Sequence, residues 1–119
     1  MQLSFDDEDN AIITLPYNPN LDRGRGGIHG GAIATILDNA GFFTSALATK
    51  EIVITSQLNL HLLRPAKKVK LIAKGKIIKV GKTLVVSEMS CKDEHGTLIA
   101  HATGTYLRIN RKSKKHEKG

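Results

Sequence analysis

Residues 24–43 read GRGGIHGGAIATILDNAGFF: a glycine-rich turn, a histidine, then an alanine-rich apolar run with one acid, Asp38, near its middle. The apolar spacing predicts a helix from Gly30 to about Ala48. At about 100° per residue, Ile33, Ile36, Leu37, Ala40, Phe43 and Leu47 gather on one side as a core face. Gly31, Ala34, Thr35, Asp38, Gly41, Phe42 and Ser45 gather on the other, and most are small enough for a backbone or a ligand to come close. A surface helix carries Lys, Glu or Arg opposite its core, yet Asp38 is the lone charge between His29 and Lys50. Cover on both sides is therefore expected. An acid in such a setting needs a function or a specific hydrogen-bond partner, for which Thr35 and Ser45 are candidates.

The flanking sequence supplies strands for this helix to lie on. Before it, QLSF and AIITLP read as two short strands around an acidic turn, and YNPNLDRGRGG reads as a loop. After it come four strand-like runs. ITSQLNLHLL sets Leu58, Leu60 and Leu62 against Gln57, Asn59 and His61. KKVKLIAKGKIIKV sets Val69, Leu71, Ala73 and Ile77 against Lys68, Lys70, Lys74 and Lys76. A turn at Gly81-Lys82 leads into TLVVSEMSCKD, and EHG leads into TLIAHATGTYLRI. Hairpin-length connections argue for an antiparallel sheet, so the class is α+β: two short strands, one long helix, four long strands.

Composition narrows the function. The chain has 119 residues, enough for one domain, with no Trp and few aromatics. Such a small core is often completed by pairing with a copy of itself. The single cysteine, Cys91, cannot form an internal disulfide, and MQLSFDDEDN has no secretory pattern. No apolar run is long enough to span a membrane, so a cytoplasmic protein is expected. Much of the net charge of +7 comes from RINRKSKKHEKG, and residues 110–119 are expected to form a disordered basic tail outside a domain of residues 1–109. Without an aromatic stacking platform, that charge does not make a specific nucleic-acid binder. The lysine face over Lys68, Lys70, Lys74 and Lys76 reads as a solvated surface.

Familiar catalytic signatures are absent. GxGxxG would need glycine where His29 stands, and a P-loop ending at Gly81-Lys82-Thr83 would need glycine at Lys76. HGG has no accompanying GxSxG, and Cys91 with His95 does not make a metal site; no cofactor is implied. What remains is a helix opening at HGG, whose unpaired backbone amides and dipole suit an anion or a developing oxyanion. His29 either contacts substrate there or makes a local hydrogen bond that shapes the turn.

Three segments together resemble the hotdog-fold acyl-CoA thioesterases of the phenylacetate-pathway (PaaI-like) type: GIHGGAIATILDNAGF, TSQLNLHLLRPA and GKTLVVSEMSCKDEHGTLIAHATGTY. The resemblance implies a hotdog fold, an antiparallel sheet wrapped around the central helix, in dimers that often pair again. It implies hydrolysis of an acyl-CoA thioester to a free acid and coenzyme A, with a non-catalytic acyl-CoA or metabolite binder as the alternative. Carried over, Asp38 is nucleophile or general base, the Gly30 amide polarises the thioester carbonyl, and Thr55 helps hold the attacking water. At the same mouth, His29 is a further catalytic candidate and Gly31 a substrate-binding one. Arg64, Gly81, Lys82 and Thr83 are the substrate-binding candidates, the cations for the phosphates of coenzyme A. Phe42 and Phe43 either line an acyl pocket or pack in the core. The chain departs from the family at Arg23, where an Asn or Gln is usual, with Asn20 nearby but out of register.

One distance then bears on assembly. Gly30 and Asp38 are eight residues apart, so their backbones stand about 12 Å apart along a helix. A reacting carbon sits about 3 Å from both its attacking group and its oxyanion donors. One chain's helix cannot supply both, so the two groups are expected to meet across a two-fold axis between antiparallel helices.

Overall fold

The computed structural model describes residues 1–23 and 27–109. The basic tail 110–119 and glycine-turn residues 24–26 of the sequence reading lie outside them.

The predicted helix is α1, Gly30–Thr49, and it starts on an unexpected cap. The sequence lacks Ser, Asp or Asn at this point, but His29 takes the role: its Nδ1 accepts the Gly31 amide at 3.0 Å. A side-chain acceptor here satisfies one of the orphan donors of the first turn, as a hydroxyl or carboxylate cap does. The helix ends where Lys50 enters the left-handed region (φ 55°), with the Thr49 hydroxyl donating back to the Ser45 carbonyl at 3.0 Å.

Six strands form one antiparallel sheet beside it: β1 (Gln2–Phe5), β2 (Ala11–Leu15), β5 (Val53–Leu62), β6 (Leu71–Val80), β7 (Leu84–Asp93) and β8 (Leu98–Arg108). The spatial order is β1-β2-β6-β7-β8-β5, which leaves β1 and β5 as the edges. The loop expected over YNPNLDRGRGG holds more structure than its composition suggests. A 3-10 turn at Pro19–Leu21 leads into a two-residue ladder of β3 (Asp22–Arg23) and β4 (Gly27–Ile28). The Ile28 amide donates to Ala66 O and the His29 amide to Leu21 O, both at 2.7 Å, which fixes the helix mouth against the segment after β5.

The buried stripe of α1 is Ile33, Ile36, Leu37, Ala40, Gly41, Thr44 and Ser45. This i, i+3, i+4 pattern drives the helix onto the inner sheet face, where it meets Ile13, Leu71, Ala73, Met89, Ala100 and Ala102. Full burial of Ile33, Ile36 and Leu37 is worth roughly 5–8 kcal/mol before the entropy of ordering is subtracted. Two details differ from the helical wheel. Gly41 and Ser45, assigned to the open face, are buried on the chain's own sheet: a Cβ on Gly41 would fall 2.7 Å from Met89 Sδ, and Ser45 Oγ bonds Ser87 Oγ at 2.7 Å. Small side chains there admit the sheet rather than an outside partner. Leu47, assigned to the core face, is exposed together with Ala48, because the last turn of the helix runs beyond its apolar floor. Phe43 is half-buried and meets Phe42 edge to face, ring centres 5.2 Å apart.

Sheet-to-helix spacing is set at Gly75 of β6, where an added Cβ would meet Ala40 O and Thr44 Oγ1, each at 2.5 Å. The Thr44 hydroxyl also accepts the Ala11 amide at 2.8 Å, tying α1 to β2. Lys68, Lys70, Lys74 and Lys76 are all exposed, the first two before β6 begins, and Lys74 pairs with Asp6 at 2.9 Å. Among the described residues no helix is long and apolar enough to cross a membrane.

Candidate active site

Asp38 stands on the flank of α1 that faces β5, and it is half-buried within the single chain. Its partners are neither Thr35, whose hydroxyl donates to Gly31 O, nor Ser45. Instead Oδ1 accepts from Thr55 Oγ1 at 3.0 Å and from the Tyr106 hydroxyl at 3.1 Å. Oδ2 has no hydrogen-bond partner among the described residues. Thr55 reaches the carboxylate at a β-bulge: the β5–β8 register slips between Thr55 and Gln57, which re-aims the strand beside the acid.

Tyr106 is the participant that sequence reasoning missed. It is fully buried, and its hydroxyl also donates towards Asp38 O at 3.2 Å. Burial, then the Asp38 charge and the hydrogen bond to it, push the phenol well above its ordinary pKa, so it stays a neutral donor. Its place on β8 opposite Thr55 is visible only once the register Thr55↔Tyr106 is known.

The helix mouth forms a second group. The Gly31 amide goes to His29 Nδ1, and the Ala32 and Ile33 amides go to His29 O. That leaves the Gly30 amide as the first-turn donor with no partner among the described residues. Gly30 lines a cleft of about 270 Å³ with Arg23, Ile28, Ile33, Leu62 and Arg64. Arg64 spends Nη1 on Leu98 O at 2.9 Å, keeping the rest of its guanidinium for the cleft. Arg23, the departure from the family pattern, thus lies in the same cleft, whereas Asn20 sits in the 3-10 turn with its amide on Asn18 Oδ1. His29 makes the local bond of the two roles expected for it.

The third group is the β6–β7 turn. Gly81 donates its amide to Leu84 O at 2.8 Å, and a Cβ there would collide with that oxygen at 2.7 Å, so the tight turn requires glycine. Arg108 fixes the turn: Nη1 donates to Gly81 O at 2.9 Å, its amide donates to Thr83 O at 2.8 Å, and its guanidinium pairs with Glu51. Lys82 and Thr83 are exposed at its tip.

The strand registers sort these residues to two ends. Thr55 pairs with Tyr106 and Leu84 with Leu107, so Asp38, Thr55 and the Gly81–Thr83 turn share one end of the sheet. Leu62 pairs with Ala100 at the opposite end, next to Gly30 and Arg64. Within one chain the predicted residues therefore fall into two groups at opposite ends of the sheet.

Comparison with known proteins agrees with this architecture. The Thioesterase superfamily model matches residues 25–100, well over half of the chain, and the chain belongs to that superfamily. It is a hydrolase acting on thioesters. A Saccharolobus solfataricus protein named as a candidate esterase is 31% identical over 104 residues, 86% of this chain and 74% of that protein. A Bacillus halodurans protein solved with CoA superposes with a TM-score of 0.81 at 24% identity, over 92% of this chain and 74% of its own. The PaaI protein of the Escherichia coli phenylacetic acid degradation operon superposes with a TM-score of 0.77 at 22% identity, over 84% and 72%. Both superpositions bear on the fold, which is the hotdog architecture the sequence suggested.

Proposed function

We propose that the chain is an acyl-CoA thioesterase whose reaction centre is shared by two copies. The observation that carries the proposal is Asp38: one carboxylate oxygen held by two hydroxyls and the other, among the described residues, without a partner, on the flank nearest the β5 edge of the sheet. That edge, β5, is ten residues long and flanked by exposed apolar side chains, Ile54 at 51% and Leu62 at 54%. Such an edge invites pairing. Antiparallel pairing of β5 with itself requires like faces to meet, so a two-fold axis passes through a residue; an axis near mid-strand, as proposed, falls at Leu58 or Asn59. Leu62 and the neighbouring Gly30 then come beside the partner's Thr55 and Asp38. The same operation joins the remaining halves, the Arg64 cleft of one copy with the partner's Gly81–Thr83 turn. On that axis a single rotation would bring the nominated residues together, which supports a dimer; further pairing of dimers follows from family resemblance alone.

In the assembled centre, Asp38 attacks the thioester carbonyl or takes a proton from the water that does, with Thr55 beside it. The carbonyl oxygen becomes an oxyanion, accepted by the partner's Gly30 amide and favoured by the positive end of α1. Collapse breaks the carbon–sulfur bond. With Asp38 as base, the proton taken from water passes to the departing thiolate. With Asp38 as nucleophile, the thiolate leaves an acyl–Asp38 anhydride, which water opens to the free acid while its proton goes to the thiolate. The capture of CoA by the Bacillus halodurans relative supports CoA as the carrier, its phosphates meeting Arg64 and Lys82.

The test is a panel of aromatic and aliphatic acyl-CoA thioesters followed by free-thiol release. Asp38→Asn is expected to remove turnover and leave the fold intact. Near wild-type hydrolysis by that variant would remove Asp38 from the reaction, and tight binding with no cleavage by the wild type would favour a binder.

A further inference from the structure

We infer that Tyr106 is a positioning residue for the reaction, holding Asp38 Oδ1 together with Thr55 so that Oδ2 is the oxygen presented to substrate or water. The inference rests on the proposed role of Asp38 and adds a group that neither the sequence motifs nor the family resemblance nominated. A carboxylate on a helix flank has free rotation about its last bond. Two donors on one oxygen, from β5 and β8, fix that rotation and leave the other oxygen open.

The surroundings are shaped for this phenol. A Cβ on Gly41 would fall 2.2 Å from the Tyr106 hydroxyl, and a Cβ on Gly104 would fall 2.7 Å from its ring. Gly41 lies on the turn of α1 after Asp38, and Gly104 lies two residues before Tyr106 on β8. Together they leave a slot between helix and sheet with room for the ring to reach Asp38. A tyrosine acting only as a filler would need no hydroxyl at the far end of that slot. Here the hydroxyl meets both the carboxylate and the carbonyl of the same residue.

The experiment compares wild type, Tyr106→Phe and Asp38→Asn on the thioester panel, with kcat, KM and the pH profile of kcat measured for each. Phenylalanine keeps the ring in its slot and deletes the donor. Loss of one hydrogen bond to a charged group predicts about a 10- to 100-fold fall in kcat, with KM within about twofold of wild type. The acid limb of the profile moves to higher pH, because the ionised carboxylate has lost a donor. The melting temperature falls by several degrees while the protein stays folded, because the same bond also stabilises the native state. Replacement of Tyr106 by 3-fluorotyrosine, a stronger donor of nearly the same size, is expected to keep kcat and move the acid limb the other way. Wild-type kcat and an unmoved profile in Tyr106→Phe would overturn the inference, whatever happens to stability. Should that variant not fold, an unmoved profile in the 3-fluorotyrosine protein would overturn it equally. Full activity in Asp38→Asn, by contrast, would overturn the thioesterase mechanism itself, so the two failures are distinguishable.

Discussion

Replacing Gly30 by proline deletes one atom-specific contribution, the backbone N–H, and the structure indicates that the helix will accept it. Gly30 is the first helical residue, where proline is favoured because its missing amide has no intrahelical partner. His29 before it has φ −61° and ψ 133°, the extended conformation that a residue preceding proline adopts. The new Cβ would meet Leu62 Cδ1 at 3.1 Å, the free end of a largely exposed side chain that can swing aside. Steric cost should be within about 1 kcal/mol, offset by a comparable gain from the stiffer unfolded chain. Removal of an oxyanion donor costs about 100- to 1000-fold in kcat, some 2.7–4 kcal/mol of transition-state stabilisation. The assay is thiol release on the acyl-CoA panel beside a thermal melt. A well-folded Gly30→Pro protein with wild-type kcat would refute the assignment of this amide.

Other outcomes follow from the packing and the charges. Gly75→Ala puts a methyl about 0.9 Å or more inside ordinary contact with α1, lifting the helix and straining the Ala11–Thr44 bond. A loss of about 2–4 kcal/mol is expected, read as a melting temperature lower by roughly 10 °C, and an unchanged melt would contradict the close approach. Asp6 is held below the usual carboxylate range by Lys74 first, then by the Asn10 and Glu8 amides. A depressed folded-state pKa stabilises above the unfolded value of about 4 and is lost as pH falls below it. Asp6→Asn is therefore expected to be less stable than wild type at pH 7, with the difference shrinking in acid unfolding curves from about pH 4 downward. A constant difference across that range would show that the ion pair contributes nothing.

Much of the architecture was legible because it depends on local periodicity. The leucines of residues 58–62 and the apolar positions of residues 69–77 announced strands, and the spacing of Ile33, Ile36, Leu37 and Ala40 announced a helix with one core face. What stayed hidden depends on contacts between distant segments. Gly41 and Ser45 look the same in sequence whether a partner or the chain's own sheet approaches them, and only Met89 and Ser87 beneath them decide it. Tyr106 is separated from Asp38 by 68 residues, and alternation along β8 could mark it as inward-facing but not as a donor. His29 was considered as a ligand contact or a local bond, and imidazole capping became clear only with the backbone geometry of the turn. For Asp38, Gly30, Arg64 and Lys82 the proposed roles were readable through the family resemblance. Their division between opposite ends of the sheet was not, since strand register sets it.

That division makes a mixed-chain assay the most direct test of a shared reaction centre. Asp38→Asn and Gly30→Pro chains are each inactive alone on this account, and they would be refolded together or co-expressed. In a mixed dimer, one centre joins the intact Gly30 of the first chain to the intact Asp38 of the second, and the other centre carries both lesions. Random pairing of equal amounts then restores about a quarter of the wild-type rate per chain. No recovery, with mixed dimers demonstrably formed, would contradict the claim that two copies build each site.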